Sequence, residues 1–291
     1  MMTSETVRRA LEDLIQIRSG AESLAWLKET VQLDESMLDG RLAELSKTFG
    51  TKHLIAGFKD RHDSVLITSY GAMPIGHWRT DRAARAWLLA TRVAQTSTPF
   101  KALFSAYDSG DTETRIAALY AINLVDDDDV EQGMSLIHDA GRTYLEDLMD
   151  AAWCNHPFST KNMSDIEYRK AVLKALFCDV SIDGFIGLSD RADSELAHSL
   201  KDFADEREAA GRSVPDVLWP VLALHPQPGL IARLIGRLEH PLAVQRIVSA
   251  RSLRNARDAR ALSFLKERLS RENEPKVSAA IAEAIEACTP T

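Results

Sequence analysis

The sequence predicts an all-α protein: a HEAT-like, α-solenoid-type array of antiparallel helix pairs with a less regular connector near residues 50–78. Apolar residues recur at helical spacing along most of the chain, and the alternation typical of strands is nearly absent. Three nonapeptides also align with one another, which indicates an internal repeat of helical units. They are Thr114–Ile122, Gln245–Leu253 and Val277–Ile285.

The N-terminal part of the chain is predicted to hold three amphipathic helices followed by the connector. Residues 5–49 contain three segments in which apolar residues recur at helical spacing. The connector mixes Gly, Pro and β-branched residues, and its segment SVLITSY, residues 64–70, is the best strand candidate in the chain. We therefore divide the chain into residues 1–78, a helical region with the connector, and residues 79–291, one continuous HEAT-like helical domain.

The three nonapeptides have the composition of the second helix of a HEAT unit. Each has small residues near its middle, which let helices approach closely, and an apolar residue at position nine. The first two also share an arginine at position two, Arg115 and Arg246. Each follows a polar or proline-marked break, which predicts a preceding partner helix. The last two copies lie closer together than the usual HEAT period of about 40–47 residues, so a long regular superhelix is not expected.

A helix predicted over residues 165–177 has apolar side chains around most of its circumference. The remaining polar stripe is narrow and consists of Glu167, Lys170, Lys174 and Cys178. A helix that is apolar on most sides is buried by neighbours on several sides. We therefore expect this helix to lie centrally, with its stripe facing solvent or a groove.

Composition and charge limit the classes of function. The 291 residues are 45% hydrophobic and 27% charged, a balance typical of globular proteins. The net charge of −8 argues against a nucleic-acid groove, which needs a basic excess to replace phosphate counterions. Three cysteines are too few for a disulfide framework. The N-terminus lacks the apolar segment of a signal peptide, so we expect a cytoplasmic protein with no nucleic-acid partner and no direct membrane insertion.

No motif for catalysis, a metal or a cofactor stands out. Cys154, His156 and Cys178 could supply soft zinc ligands, but their spacing matches no standard pattern and no fourth ligand is evident. The run Asp126–Asp129 lacks the spacing of a calcium loop. It fits the start of a helix, where the helix dipole favours carboxylates. We therefore predict no metal, no cofactor and no catalytic residue, and favour a protein that is not an enzyme.

Charged residues are dense between residues 190 and 212. Asp202, Glu206 and Arg207 fall within about one helical turn, so they could form a charge network on one face. One interpretation is a solvated helix face. The other is an anion or partner site beside the loop that contains Asn155.

Two stretches of the sequence resemble the EboA-domain family. The first is GHWRTDRAARAWLLA, residues 76–90, and the second extends from Val172 to Trp219. The second carries a VLKALF helix, then Gly187-Leu188 and Arg191-Ala192, then ER-x-AAGR from Glu206 to Arg212. In looser form the resemblance extends from about residue 76 to residue 253.

The resemblance implies a cytosolic helical protein that acts beside other ebo-cluster proteins in moving a secondary-metabolite precursor. Those proteins include a prenyltransferase-like membrane protein and hydrolase-, isomerase- and phosphatase-like proteins. Our first hypothesis is a non-catalytic adaptor that binds ebo-cluster proteins or a biosynthetic enzyme. The second is a binding protein or enzyme for an anionic or aromatic precursor, with a groove near Asn155 and Arg191–Arg212. The candidate ligand- or partner-binding residues are Asn155, His156, Lys174, Arg191, Asp202, Glu206, Arg207 and Arg212.

Overall fold

The structure, a computed structural model, describes residues 3–290. These residues form eighteen α-helices and one two-stranded sheet, which confirms the prediction of an all-α protein. The chain divides into two compact units, which we describe separately. The first unit holds residues 3–171, 178–180 and 184–186, and the second holds residues 172–177, 181–183 and 187–290.

The first unit is organised around one long helix, α5, most of whose residues are buried. Five other helices of the unit, α1, α2, α3, α6 and α7, pack against it. In chain order the elements of the unit are α1 (Ser4–Ser19), α2 (Ala21–Val31), α3 (Glu35–Phe49), α4 (Phe58–Asp63), β1 (Val65–Thr68), β2 (Gly71–Pro74), α5 (Thr80–Val93), α6 (Pro99–Ser109), α7 (Thr112–Ile122), α8 (Val130–Arg142), α9 (Glu146–Trp153), α10 (Pro157–Asn162) and the start of α11 (Asp165–Phe177).

The predicted connector contains a short antiparallel hairpin at the strand candidate. β1 pairs with β2 in the register that places Leu66 opposite Met73. Leu66 and Thr68 are buried, whereas Val65 and Ile67 point to solvent, because successive side chains of a strand face opposite sides. The hairpin packs against α1 and α10, so the connector is part of the folded unit.

The acidic run Asp126–Asp129 holds three helix starts in place. Its carboxylates accept hydrogen bonds from the backbone N–H groups of Ser4 in α1 (3.4 Å), Phe100 in α6 (2.8 Å) and Gln132 in α8 (3.0 Å). Asp129 is the N-cap of α8 and accepts the bond from Gln132. The sequence predicted a helix start at this run, and the structure confirms it. The first N–H groups of a helix lack partners within the helix, so these carboxylates satisfy them.

The second unit ends in five helices, each of which packs against at least one of the others. The elements of the unit are the end of α11, α12 (Leu188–Arg191), α13 (Ser194–Ala209), α14 (Leu218–Leu222), α15 (Leu230–Arg237), α16 (Ala243–Ala256), α17 (Leu262–Arg271) and α18 (Pro275–Cys288), with short 3-10 turns at Ile182–Gly184 and Ala259–Ala261. Helix α16 packs against α14, α15 and α18, and α17 packs against α18.

All three nonapeptides are helical, in α7, α16 and α18. The shared arginine at position two also makes the same kind of bond in the first two copies. Arg115 Nε donates to the carbonyl oxygens of Tyr107 (3.2 Å) and Gly110 (3.1 Å). Arg246 Nη1 donates to those of His240 and Pro241, both at 2.9 Å. In both places the arginine ties the second helix to the turn before it. The HEAT-like array as a whole stays a prediction.

Helix α11 differs from its prediction at its two ends. Tyr168, Val172 and Leu176 are buried as expected. The side chains of Ile166 and Phe177 are 57% and 62% exposed. The prediction of a helix covered on most sides is therefore wrong for the first and last turns.

Candidate functional site

A buried arginine, Arg85, lies in the middle of α5 in the first unit. Its side chain is only 2% exposed. One terminal nitrogen donates to the Thr114 hydroxyl and the other to the Leu42 carbonyl oxygen, each at 2.9 Å. A carboxylate oxygen of Asp111 lies 3.6 Å from the guanidinium. Arg85 therefore joins three helices, α3, α5 and α7.

Burial lowers the pKa of the Arg85 guanidinium, and the nearby carboxylates of Asp111 and Glu113 oppose this effect. Arginine stays charged nevertheless, because its ordinary pKa is above 12. Burial would raise the pKa of Asp111, but hydrogen bonds from Thr114 and the charge of Arg85 lower it overall. Asp111 is also the N-cap of α7. Arg85 is therefore fixed by its bonds to α3 and α7, and Asp111 is fixed by its position at the start of α7.

A groove lies over these partners of Arg85, between α3, the end of α5, and α6. We call it the Arg85 groove. Its cavity volume is about 830 Å³, and its lining includes Leu42, Asp111 and Thr114. Helix α3 lines it with residues between Glu35 and Ala43, and α6 with residues between Lys101 and Ser109. Pockets for small molecules typically measure about 300–1,000 Å³, so the groove has the size of a small-molecule site.

The walls of the groove combine apolar and polar side chains. Leu38, Leu42 and Leu89 are among its apolar lining residues, and Ser105 and Thr114 contribute hydroxyls. Apolar walls desolvate the body of a ligand, and a few polar groups set its orientation. The groove is therefore suited to binding an amphipathic molecule.

A second polar cluster, centred on Arg82, lies in the first of the family-like stretches. Arg82 donates to both carboxylate oxygens of Glu113, at 2.8 and 3.0 Å, and to Asp147 at 2.7 Å. Arg79 donates to Asp81 at 3.0 Å and to Glu113 at 3.2 Å. These bonds join α5, α7 and α9, so the cluster fixes the positions of helices that flank the core.

His77 and Tyr120 lie beside this cluster. The Tyr120 ring stacks on Trp78 with 4.3 Å between ring centroids, and burial raises the pKa of its hydroxyl. Burial, with smaller effects from Arg82 and His53, lowers the pKa of His77 to about 4. His77 is therefore neutral at neutral pH.

Asn155 and His156, both predicted site residues, lie in the turn before α10 in the first unit. Asn155 has a positive φ of 55°, a conformation that Asn tolerates better than most residues, and its N–H donates to the Gly184 carbonyl oxygen at 2.6 Å. Both ring nitrogens of His156 are engaged: Nε2 lies 2.8 Å from the Leu119 carbonyl oxygen, and Nδ1 accepts from the Ser159 N–H at 3.1 Å. His156 thus caps α10, and its role in ligand binding stays a prediction.

The other predicted site residues lie in the second unit, most of them on or after α13. Asp202 and Glu206 are exposed and one turn apart on that helix. Arg207 Nε donates to the Ser213 carbonyl oxygen at 2.6 Å, and the N–H of the exposed Arg212 donates to the Arg207 carbonyl oxygen at 2.7 Å. The turn after α13 therefore brings these two arginines together.

Lys174 on α11 and Arg191 at the end of α12 are partly buried. Their role in ligand or partner binding also stays a prediction.

The sequence reasoning missed the Arg85 groove. One signal could have pointed to it: Arg85 is a lone charge among Ala84, Ala86, Leu88 and Leu89, and an arginine on an apolar face needs buried partners. Among residues 3–290, no group of three His, Cys, Asp or Glu side chains is arranged to hold a metal ion. Within the same range, no helix combines the length and apolar character needed to cross a membrane.

Comparison with known proteins yields one family. A family model described as "Metabolite traffic protein EboA" matches residues 7–223, which include the Arg85 groove and α13. No curated protein and no solved structure matches the chain.

Proposed function

The chain belongs to the EboA family, and because this family's name indicates a role in metabolite traffic, we propose that the protein carries a small metabolite in the Arg85 groove. The observation that carries the proposal is the groove itself. It lies within the family-matched residues, it has the volume of a small-molecule site, and its lining is both apolar and polar. Its ionisable lining groups are suited to holding charges on a ligand.

The proposal predicts that filling the groove abolishes metabolite retention. Ala43 on α3 and Ala106 on α6 both line the groove and are not buried in the core. We expect the Ala43→Trp/Ala106→Trp double variant to retain at least about tenfold less metabolite than the wild type, since two indole rings occupy the space of a ligand. The measurement is mass spectrometry of small molecules held by the purified protein after incubation with an extract of its own cells.

Ala25→Trp provides a matched control. Ala25 is an exposed helical alanine on α2 and does not line the groove, so this variant should retain metabolites as the wild type does. Circular dichroism would verify that all variants fold. Equal retention by the wild type and the groove-filled variant would contradict the proposal.

The second candidate function is an adaptor that presents cargo to partner proteins. The observation that favours it is the acidic face of α13, where Asp202 and Glu206 are exposed one turn apart within the family-matched residues. A HEAT-like array, as the sequence predicts, would build an extended surface for such contacts. The partner would then carry a basic patch, because exposed carboxylates steer positively charged surfaces.

A crosslinking pull-down tests the adaptor function. We expect wild-type protein to enrich specific partners from its own cells, and Asp202→Lys/Glu206→Lys to lose most of that enrichment because the charge of the face is reversed. Glu283→Lys/Glu286→Lys reverses two exposed charges on α18, outside the matched residues, and should retain the partners. The adaptor function is contradicted if both variants enrich the same proteins as the wild type.

A further inference from the structure

Two cations, Arg92 and Lys101, line the Arg85 groove. Arg92 lies near the end of α5, and its Nη1 donates to the carbonyl oxygens of Val31 (2.8 Å) and Leu33 (2.7 Å). These bonds fix the guanidinium at the groove. Lys101 lies in the first turn of α6 and is exposed.

Neither cation has an ion-pair partner in the part of the chain that the structure describes. Among residues 3–290, no carboxylate oxygen lies within 4.0 Å of the side-chain nitrogens of Arg92 or Lys101. The buried Arg85 is different, because a carboxylate oxygen of Asp111 lies 3.6 Å from its guanidinium. Two unpaired cations beside a cavity form a place for an anionic group of a ligand.

The wall formed by α3 carries the opposite charge. Glu35 and Asp39 are four residues apart, so they share one face of α3, and both line the groove. Within the described part of the chain, no Lys, Arg or His forms an ion pair with either carboxylate. The groove lining therefore presents two carboxylates on α3 and two cations on α5 and α6, and none of the four forms an ion pair within residues 3–290.

We propose that the Arg85 groove selects metabolites with an apolar body that bear both an anionic and a cationic group. Arg92 and Lys101 hold the anionic group, and Glu35 and Asp39 hold the cationic group. A ligand with both groups can pair with all four charged side chains, whereas a ligand with one charge can pair with only two of them. This inference rests on the proposed function, since it concerns the ligand of the same groove.

Three fluorescent probes test the ligand class. Nε-dansyl-lysine has a dansyl body and carries both a carboxylate and an ammonium group. Dansylcadaverine lacks only the carboxylate, and N-dansyl-6-aminohexanoate lacks only the ammonium group. We expect Nε-dansyl-lysine to bind the wild-type protein about tenfold more tightly than either relative, as measured by dansyl fluorescence titration.

Paired variants assign each charge of the ligand to the side chains that hold it. Arg92→Gln/Lys101→Gln should weaken the binding of Nε-dansyl-lysine and N-dansyl-6-aminohexanoate by about tenfold and leave dansylcadaverine unchanged. Glu35→Gln/Asp39→Asn should weaken Nε-dansyl-lysine and dansylcadaverine and leave N-dansyl-6-aminohexanoate unchanged. Arg92 also donates to two backbone carbonyl oxygens, so its replacement could disturb the fold. Lys101→Gln alone avoids this risk because Lys101 is exposed, and it tests the same binding of the anionic group.

The outcomes separate this inference from the proposed function. Equal affinity for the three probes, or no binding of Nε-dansyl-lysine, overturns the ligand class. If the probes bind equally but Ala43→Trp/Ala106→Trp removes their binding, the groove still binds ligands and only the charge selection is wrong. If the groove-filled variant binds all three as the wild type does, the proposed function fails as well.

Discussion

Lowering the pH from 7 to 4.5 is expected to reduce the free energy of unfolding by about 2 kcal/mol through His156 alone. This side chain is fully buried, and burial lowers its pKa to about 4, from an ordinary value of 6.5. Between these two values the unfolded chain binds a proton that the folded chain does not. The stabilisation is therefore complete above pH 6.5 and is lost as the pH falls toward 4. His77, with its pKa also near 4, adds to the loss.

Urea unfolding at several pH values measures this effect. His156→Gln should be less stable than the wild type at pH 7, since it loses the buried bonds of the ring, but its stability should change less with pH. His198→Gln is the control for replacing a histidine by glutamine, because that side chain is 68% exposed. Asp150 acts in the opposite sense, since burial raises its pKa. A wild-type stability that is constant between pH 7 and 4.5 would contradict the prediction.

Glu272→Ala is expected to lower the free energy of unfolding by about 3 kcal/mol. The Glu272 carboxylate is 3% exposed and accepts hydrogen bonds from Arg246 at 2.8 and 3.0 Å and from Arg268 at 2.6 Å. It also accepts from the backbone N–H of Glu274, the N-cap of α18. Its removal leaves two partly buried arginines without their shared partner. Removing one member of a buried ion pair is strongly destabilising, because the remaining charge is left uncompensated.

Glu283→Ala supplies the comparison for this prediction. Glu283 also pairs with an arginine, Arg254 at 3.1 Å, but its side chain is 56% exposed. Exposed pairs contribute about 0–1 kcal/mol, so the loss should be small. Denaturant unfolding would show a lower midpoint for Glu272→Ala at an unchanged slope. Equal midpoints for the two variants would show that burial of the Glu272 network adds no stability.

The helices of this chain could be predicted because their causes are local. The nonapeptides Thr114–Ile122, Gln245–Leu253 and Val277–Ile285 are helical, as their spacing of small and apolar residues predicted. The prediction for α11 failed at Ile166 and Phe177 because it also used only local information. Periodicity measures the character of a helix face, whereas exposure depends on which neighbours reach each turn.

The candidate site could not be predicted, because it depends on distant parts of the chain. Glu35, Arg92 and Lys101 come from three helices, and none belongs to a recognisable motif. His156 shows the converse. Its residue type suggested a ligand or metal contact, and that role stays a prediction. The structure adds what the sequence could not show: the ring is buried, lies 2.8 Å from the Leu119 carbonyl oxygen and caps α10 at Ser159. Residue type indicates possible chemistry, and only the packing around it shows which role is available.

The acidic run at residues 126–129 has a consequence for protein engineering. Four consecutive aspartates between two helices look like a permissive place for an epitope, a fluorophore or an inserted domain. Its carboxylates, however, hold the starts of α1, α6 and α8, which lie in three separate parts of the sequence. An insertion of even one residue would shift these oxygens away from several N–H groups at once. Variants made for labelling should therefore leave this loop at its natural length.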